Sequence, residues 1–306
     1  MNRHVAVLMG GLSAEREVSL VSGENCAAAL EGQGYRVTRV DVGRDLPMVL
    51  AELKPDVVFN ALHGRMGEDG RVQGVLDLMG IPYTHSGVLA SALAMDKPMA
   101  MRLFRSAGLV CPEGFEIEFE DLQDGPPPME PPFVVKPAAE GSSVDVVIAM
   151  KGDIGGLVDR EDIAPDTRFL VERYVPGHEL TCAVLGEEAL TVTEIRPKKK
   201  GGFYDYRAKY TEGVADHIVP APLPRPVLDK VCDWSLRAHW VLGCRGVSRA
   251  DFRFDPSKGM DGLVLLEVNT QPGMTPLSLV PEQARHRGIG FGELVVRLIE
   301  RARCDR

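Results

Sequence analysis

The sequence predicts an α/β protein: a parallel sheet with helices on both faces, followed by two smaller units rich in paired strands. Three observations carry this. From His4 to Gly87, apolar runs of strand length alternate with segments of helical length and pattern, as in a parallel sheet joined by helical crossovers. Two glycine-rich loops, GGLSAERE and HGRMGEDG, each directly follow a strand-like run. Near the end, VSRADFRF and GLVLLEVN flank the turn sequence DPSKGMDG, as in a hairpin. By length alone, 306 residues suit about two domains.

The elements follow in order. HVAVLM is a strand, GGLSAERE the loop that enters a helix, and EVSLVSGENCAAALEGQG that helix, ended by glycine. YRVTRVDV and DVVFNALHG are the second and third strands; GRVQGVLDLMG is a helix, and IPYTHSG a short strand and turn. Ligands of such sheets bind at the carboxyl ends of the strands, where both glycine-rich loops fall. A second unit opens near SALAMDKPMAMRLFRSAGL, with Asp96 capping a helix whose first turn holds Pro98. GPPPMEPP is a surface loop, and FVVKP, DVVIAM and RFLVERYV are strands of a small α+β unit. The third unit starts near Leu180, with strands TCAVLG and ALTVTEI and then the basic segment RPKKKGGFYDYRAKY. The amphipathic RPVLDKVCDWSLRAHWVLG ends at Gly243 and places Trp234 and Trp240 in the core. After the hairpin, a helix closes the chain.

Composition narrows the function. A charged share of 26% and a net charge of −9 fit a soluble protein and argue against generic nucleic-acid binding. The six cysteines include no CxxC pair, so they read as reduced thiols of a cytoplasmic protein. No run approaches the length of a membrane span, and VAVLM is too short for a signal segment. No GxGxxG follows the first strand, which argues against a dinucleotide oxidoreductase.

Five constellations carry chemistry. In the hairpin, folding about its loop brings Asp251 within a residue of lying opposite Glu267, with Leu263, Leu265, Glu267 and Asn269 expected on one face. Opposed carboxylates repel. Either Arg249 compensates, or a hard divalent cation does, using the oxygens of Asp251, Glu267 and Asn269; the spacing favours the cation. In FVVKPAAEGSSV, Lys136 ends an apolar strand before a small-residue loop suited to an anion; a surface lysine beside a flexible loop reads equally well. RFLVERYVPGHE presents Glu172, Val175 and Glu179 either to a nucleotide or to solvent. The basic, tyrosine-rich segment reads as a lid over phosphates. In the first unit, Glu15 and Glu17 suit a helix N-terminus, or a carboxylate there holds an amine; His63, Glu68 and Asp69 lie on the second loop.

Together, GGLSAEREVSL, HGRMGEDG, MDK, KPAAEGSSV, VERYVPGHE, FYDYRAKY, SRADF and LLEVNTQPGMT resemble the bacterial D-alanine–D-alanine ligases of the ATP-grasp superfamily. The resemblance spans nearly the whole chain. It implies a three-domain ATP-grasp fold: a Rossmann-like substrate domain (1–93), a central subdomain (94–178) and a C-terminal subdomain (179–306) with a lid at 196–212. It implies ATP-dependent joining of two D-alanines through D-alanyl phosphate, for peptidoglycan precursors, by a cytoplasmic homodimer. Lys97, Lys136 and Lys209 would serve the phosphates, Glu172 and Val175 the adenine, and Glu179 the ribose. Asp251, Glu267 and Asn269 would hold two magnesium (or manganese) ions. Glu15 would bind the first D-alanine's ammonium with His63 close by. Arg249 and the Gly273 N–H would meet the oxyanion, Ser278 and Leu279 the second carboxylate. Ser142 and Tyr210 would link to Glu15 and close the lid. Two positions depart from the pattern: GSSVD, where relatives read GSSVG, with Asp145 expected to point away from the phosphates; and TQPG, where TSPG or TNPG is common, a change expected to matter little. Tyr210 is retained, which implies a dipeptide product and not a D-lactate ester. A different ATP-grasp ligase and a non-catalytic ATP-binding module are the rival readings.

Overall fold

The computed structural model describes residues 3–125, 127–141, 145–198 and 213–305. The first sheet contains β1 (His4–Met9), β2 (Arg36–Asp41) and β3 (Val57–Asn60), all parallel in the order β2-β1-β3. Helices Arg16–Gly32, Leu46–Leu53 and Arg71–Met79 accompany these strands. The middle helix was not expected from the sequence. IPYTHSG reduces to one bridging residue, Tyr83, parallel to Val58 and antiparallel to Arg303.

Val88–Met95 and Lys97–Ser106 are separate helices, broken at Asp96, whose carboxylate accepts the Met99 N–H at 3.1 Å. Four strands follow as an antiparallel sheet: β4 (Gly114–Glu118), β5 (Phe133–Pro137), β6 (Val147–Ala149) and β7 (Arg168–Arg173), in the order β4-β7-β5-β6. The third sheet is antiparallel and five-stranded, built from β8 (His178–Leu185), β9 (Glu188–Pro197), β10 (Ala215–Ile218), β11 (Val247–Phe254) and β12 (Leu263–Asn269). Its order is β10-β9-β8-β11-β12. Arg225–Val241 packs along it, and Leu279–His286 and Phe291–Glu300 complete the chain. One core cluster joins Val5, Val7 and Phe59 of the first sheet to Ala183, Val247 and Leu294 of the last part. The first and third sheets therefore share one core, to which the helices Arg16–Gly32 and Phe291–Glu300 also contribute.

Two expectations are corrected. Trp234 is buried, but Trp240 is 56% exposed and lies outside the core; the helix is amphipathic, and six positions place the two indoles on different faces. On β12, Leu263 and Leu265 do not share a face with Glu267 and Asn269. Asp251 pairs with Glu267 and Phe252 with Leu265, so Leu266 has no partner in the ladder. Leu263, Leu265 and Val268 belong to the largest core cluster. The extra residue of this bulge reverses the alternation, which lets an apolar strand turn its last polar side chains out of the core.

Candidate active site

The sheets enclose two adjoining chambers. The larger, about 510 Å³, lies between the four-stranded and five-stranded sheets. The smaller, about 70 Å³, lies between the loops of the first sheet and the end of β12. Lys97, Glu140, Gly141, Arg249, Glu267 and Gly273 line both.

The larger chamber collects Lys97, Lys136, Glu172, Val175, Glu179, Asp251, Ser278 and Leu279. Lys136, at the end of β5, is buried and lies 2.7 Å from Glu172 on β7. Burial would lower the Lys136 pKa, but Glu172 and Glu267 together outweigh it and raise it, so the lysine stays charged. The second carboxylate oxygen of Glu172, Oε2, is buried and has no hydrogen-bond partner among the described residues. A buried acceptor left in this state suits a donor from a ligand. The Val175 carbonyl accepts from Arg253 Nε at 3.0 Å, and Arg253 Nη1 stands 3.4 Å from Glu179.

Asp251 and Glu267 are directly opposed, as the hairpin argument required. Arg249 binds Asp251 in a fork, Nε–Oδ1 2.8 Å and Nη2–Oδ2 2.6 Å, and Thr181 Oγ1 donates to Oδ1 at 2.7 Å. Of the two ways to offset the opposed acids, the arginine is thus realised on Asp251. Lys97 Nζ stands 3.8 Å from Glu267 and donates to the Glu140 carbonyl. Asn269 Oδ1 accepts the Gln271 N–H at 2.7 Å. Among the described residues, no group of three or more His, Cys, Asp or Glu forms a metal centre. Two carboxylates and an amide carbonyl are nevertheless hard oxygen donors, and magnesium takes few protein oxygens, so this set fits that ion.

The smaller chamber is lined by Glu15, His63, Glu68 and Asn269. Glu15 is buried, and its Oε1 would lie only 2.8 Å from a Cβ placed at Gly141. A side chain there would have to displace the Glu15 carboxylate, so glycine lets the loop after β5 approach this acid closely. His63 Nδ1 is 3.1 Å from Glu68 Oε1 and its Nε2 3.0 Å from Ser22 Oγ. Asp69 serves its own loop, accepting the Met66 N–H at 2.9 Å. At Gly273 a Cβ would meet Ser278 Oγ at 2.8 Å. Asp145 has φ 54° and is paired with Arg160 at 2.8 Å; aspartate tolerates this left-handed conformation better than most residues. Ser142, Lys209 and Tyr210 lie outside the described residues. Sequence reasoning missed Gln271 and Ser22, both buried polar residues next to the site. Gln271 was discounted because the neighbouring backbone was assigned the binding role, and a helical serine gives no signal of its own.

Three sheets around such a divided cleft define an ATP-grasp enzyme. Residues 125–300 match the model for the D-ala D-ala ligase C-terminus, and residues 48–86 that for the N-terminus. The chain is 56% identical over 308 residues to a D-alanine–D-alanine ligase of Parvibaculum lavamentivorans, covering 99% of both chains. It is 54% identical over 307 residues to one from a Chelativorans species, again covering 99% of both. A crystal structure of the Bacillus anthracis D-alanine–D-alanine ligase superposes with TM-score 0.81 at 32% identity, covering 98% of this chain and 97% of that one. The same enzyme complexed with ATP superposes at 0.80 with 30% identity and the same coverage. The chain belongs to the D-alanine–D-alanine ligase family.

Proposed function

We propose that the two chambers divide the ligation of two D-alanines between them, with ATP in the larger and the first D-alanine in the smaller. The observation that carries this is their shared wall: Lys97, Arg249, Glu267 and Gly273 face both. A phosphoryl donor and its acceptor would meet there. In this reading the sheets act as the units 1–93, 94–178 and 179–306.

Glu172 Oε2 and the Val175 N–H take the adenine edge, and Glu179 the ribose. Lys97 and Lys136 lie along the phosphates, joined by Lys209 from the lid. Asp251, Glu267 and Asn269 hold magnesium, which when bound spreads the charge on the phosphates. Glu15 holds the first D-alanine's ammonium, with His63 beside it. The first carboxylate attacks the γ-phosphate, giving D-alanyl phosphate and ADP. Ser142 and Tyr210, linked to Glu15, close the lid and keep water from this intermediate. The second D-alanine, its carboxylate at Ser278 and Leu279, attacks the acyl carbon through its amine. The Gly273 N–H and the Arg249 guanidinium, whose plane is fixed by Asp251, meet the oxyanion. Phosphate leaves, and the dipeptide serves peptidoglycan precursor synthesis. A cytoplasmic homodimer belongs to the same reading.

The test is an ATP- and magnesium-dependent assay for D-alanyl-D-alanine, with phosphate release compared across a panel of amino and hydroxy acids. D-Alanine should dominate. Release driven by another acid, or D-lactate turnover matching D-alanine at neutral pH, would overturn the substrate assignment.

A further inference from the structure

The turn carrying Gly273 is tied on one side to the first sheet and on the other to the helix Arg16–Gly32 packed on it. Ahead of it, Gln271 Oε1 accepts from Asn60 Nδ2 at 2.9 Å, and its Nε2 donates to the Leu62 carbonyl at 2.6 Å. Behind it, the Met274 N–H donates to Ser22 Oγ at 3.3 Å. Gln271, Asn60 and Ser22 are all buried. The turn itself lies past the last ladder pair of the hairpin, Arg249 with Asn269. The carrier of the Gly273 N–H is therefore part of the third sheet in sequence but is held in place by the first sheet and its helix.

We propose that Gln271 and Ser22 are positioning residues for the second half of the reaction. They hold the Gly273 N–H where the oxyanion forms, and so make peptide-bond formation depend on the docking of the first sheet. This rests on the assignment of the oxyanion to Gly273. An oxyanion donor acts only within hydrogen-bond reach of the developing charge, and a shift of about 1 Å costs on the order of 10²-fold. Formation of D-alanyl phosphate makes no use of this N–H, so the two half-reactions should separate. The Gln271 N–H that supports Asn269 belongs to the backbone and survives a side-chain change.

The experiment uses the full chain with Gln271→Met, similar in length but unable to make either bond, and Ser22→Ala. Dipeptide is measured beside ADP, with hydroxylamine present in a parallel reaction to displace phosphate from the acyl phosphate as a hydroxamate. Dipeptide turnover should fall about tenfold with KM for ATP within about twofold of the parent, and hydroxamate per dipeptide should rise. Gln271→Glu, which keeps the acceptor toward Asn60, should fall between. Parent-like proportions of dipeptide and hydroxamate in folded variants would overturn the proposal. So would a joint loss of both products with a raised KM for ATP, which marks a structural role. Gly273→Pro, which deletes the N–H itself, is the comparator. If it too behaves as the parent, the oxyanion assignment fails and this inference with it; if it alone is impaired, only the positioning role fails.

Discussion

The two chambers meet at one wall but are built by different means. The larger is walled by strands of two antiparallel sheets and works through charge: a buried Lys136–Glu172 pair with one carboxylate oxygen unclaimed, and acids opposed across a hairpin. The smaller is assembled from loops of the first sheet against the end of β12 and works through a relay from Glu68 through His63 to Ser22 and the Met274 N–H. Charge tolerates a mobile, flexible ligand such as a triphosphate. In the proposed assignment, a small amino acid offers few atoms, so the smaller chamber would be fixed beforehand by bonds the protein makes with itself.

The wall itself should be the most sensitive place. Glu267→Ala should remain folded yet lose activity on the order of 10³-fold, because it removes a central oxygen donor common to both chambers; activity near the parent's would remove the metal assignment. Glu172→Ala strands the Lys136 charge in the interior and should cost about 3–5 kcal/mol, with weaker nucleotide binding, read by denaturant unfolding and nucleotide titration. A stable variant that binds nucleotide as the parent does would show that the larger chamber does not depend on this pair.

Protonation probes the supports behind each chamber. Burial lowers His85, behind the first sheet, to about 3 and His239, packed on β11 through Ser248, to about 4. Both folded values lie below the ordinary 6.5, so the unfolded chain binds more protons between them. Stability from these groups is complete above pH 6.5 and is lost as pH falls toward 4. Between pH 6.5 and 5 the loss should be roughly 3 kcal/mol for the two together; a flat profile over that window would contradict their burial as neutral groups. The gentlest expected effect is Glu68→Ala, which frees His63 within the smaller chamber and should raise KM for D-alanine about tenfold with KM for ATP unchanged. Equal changes in both constants would erase the distinction between the chambers.

Much of this was legible in the sequence, for reasons that can be named. The parallel sheet followed from strand and helix alternation, and the pairing of Asp251 with Glu267 from a loop of definite length between two apolar runs. Asp96 announced its cap, and the Met99 N–H is on it. What periodicity could not show was its own interruption. The bulge at Leu266 is set by how two strands pack on one core, and no local propensity encodes it. Trp240 failed because membership of an amphipathic helix does not say which face an indole occupies. Gln271 and Ser22 stayed invisible because their partners are some 200 residues away in sequence, as Asn60 is at 211, and only the assembled fold brings them together. The short helix Leu279–His286 was missed, although Ser278 and Leu279 were singled out at its start.

The unpaired Leu266 has a further consequence. Because it offsets the strand by one, Leu263 and Leu265 before it share the interior with Val268 after it, while Glu267 and Asn269 face the cleft. Removing that single residue would set Glu267 directly after Leu265 and restore strict alternation, leaving the acid and the amide still facing out of the core. The smallest possible deletion in this strand should therefore be tolerated better than a substitution of Glu267 itself, an edit that shortens the strand yet leaves its message intact.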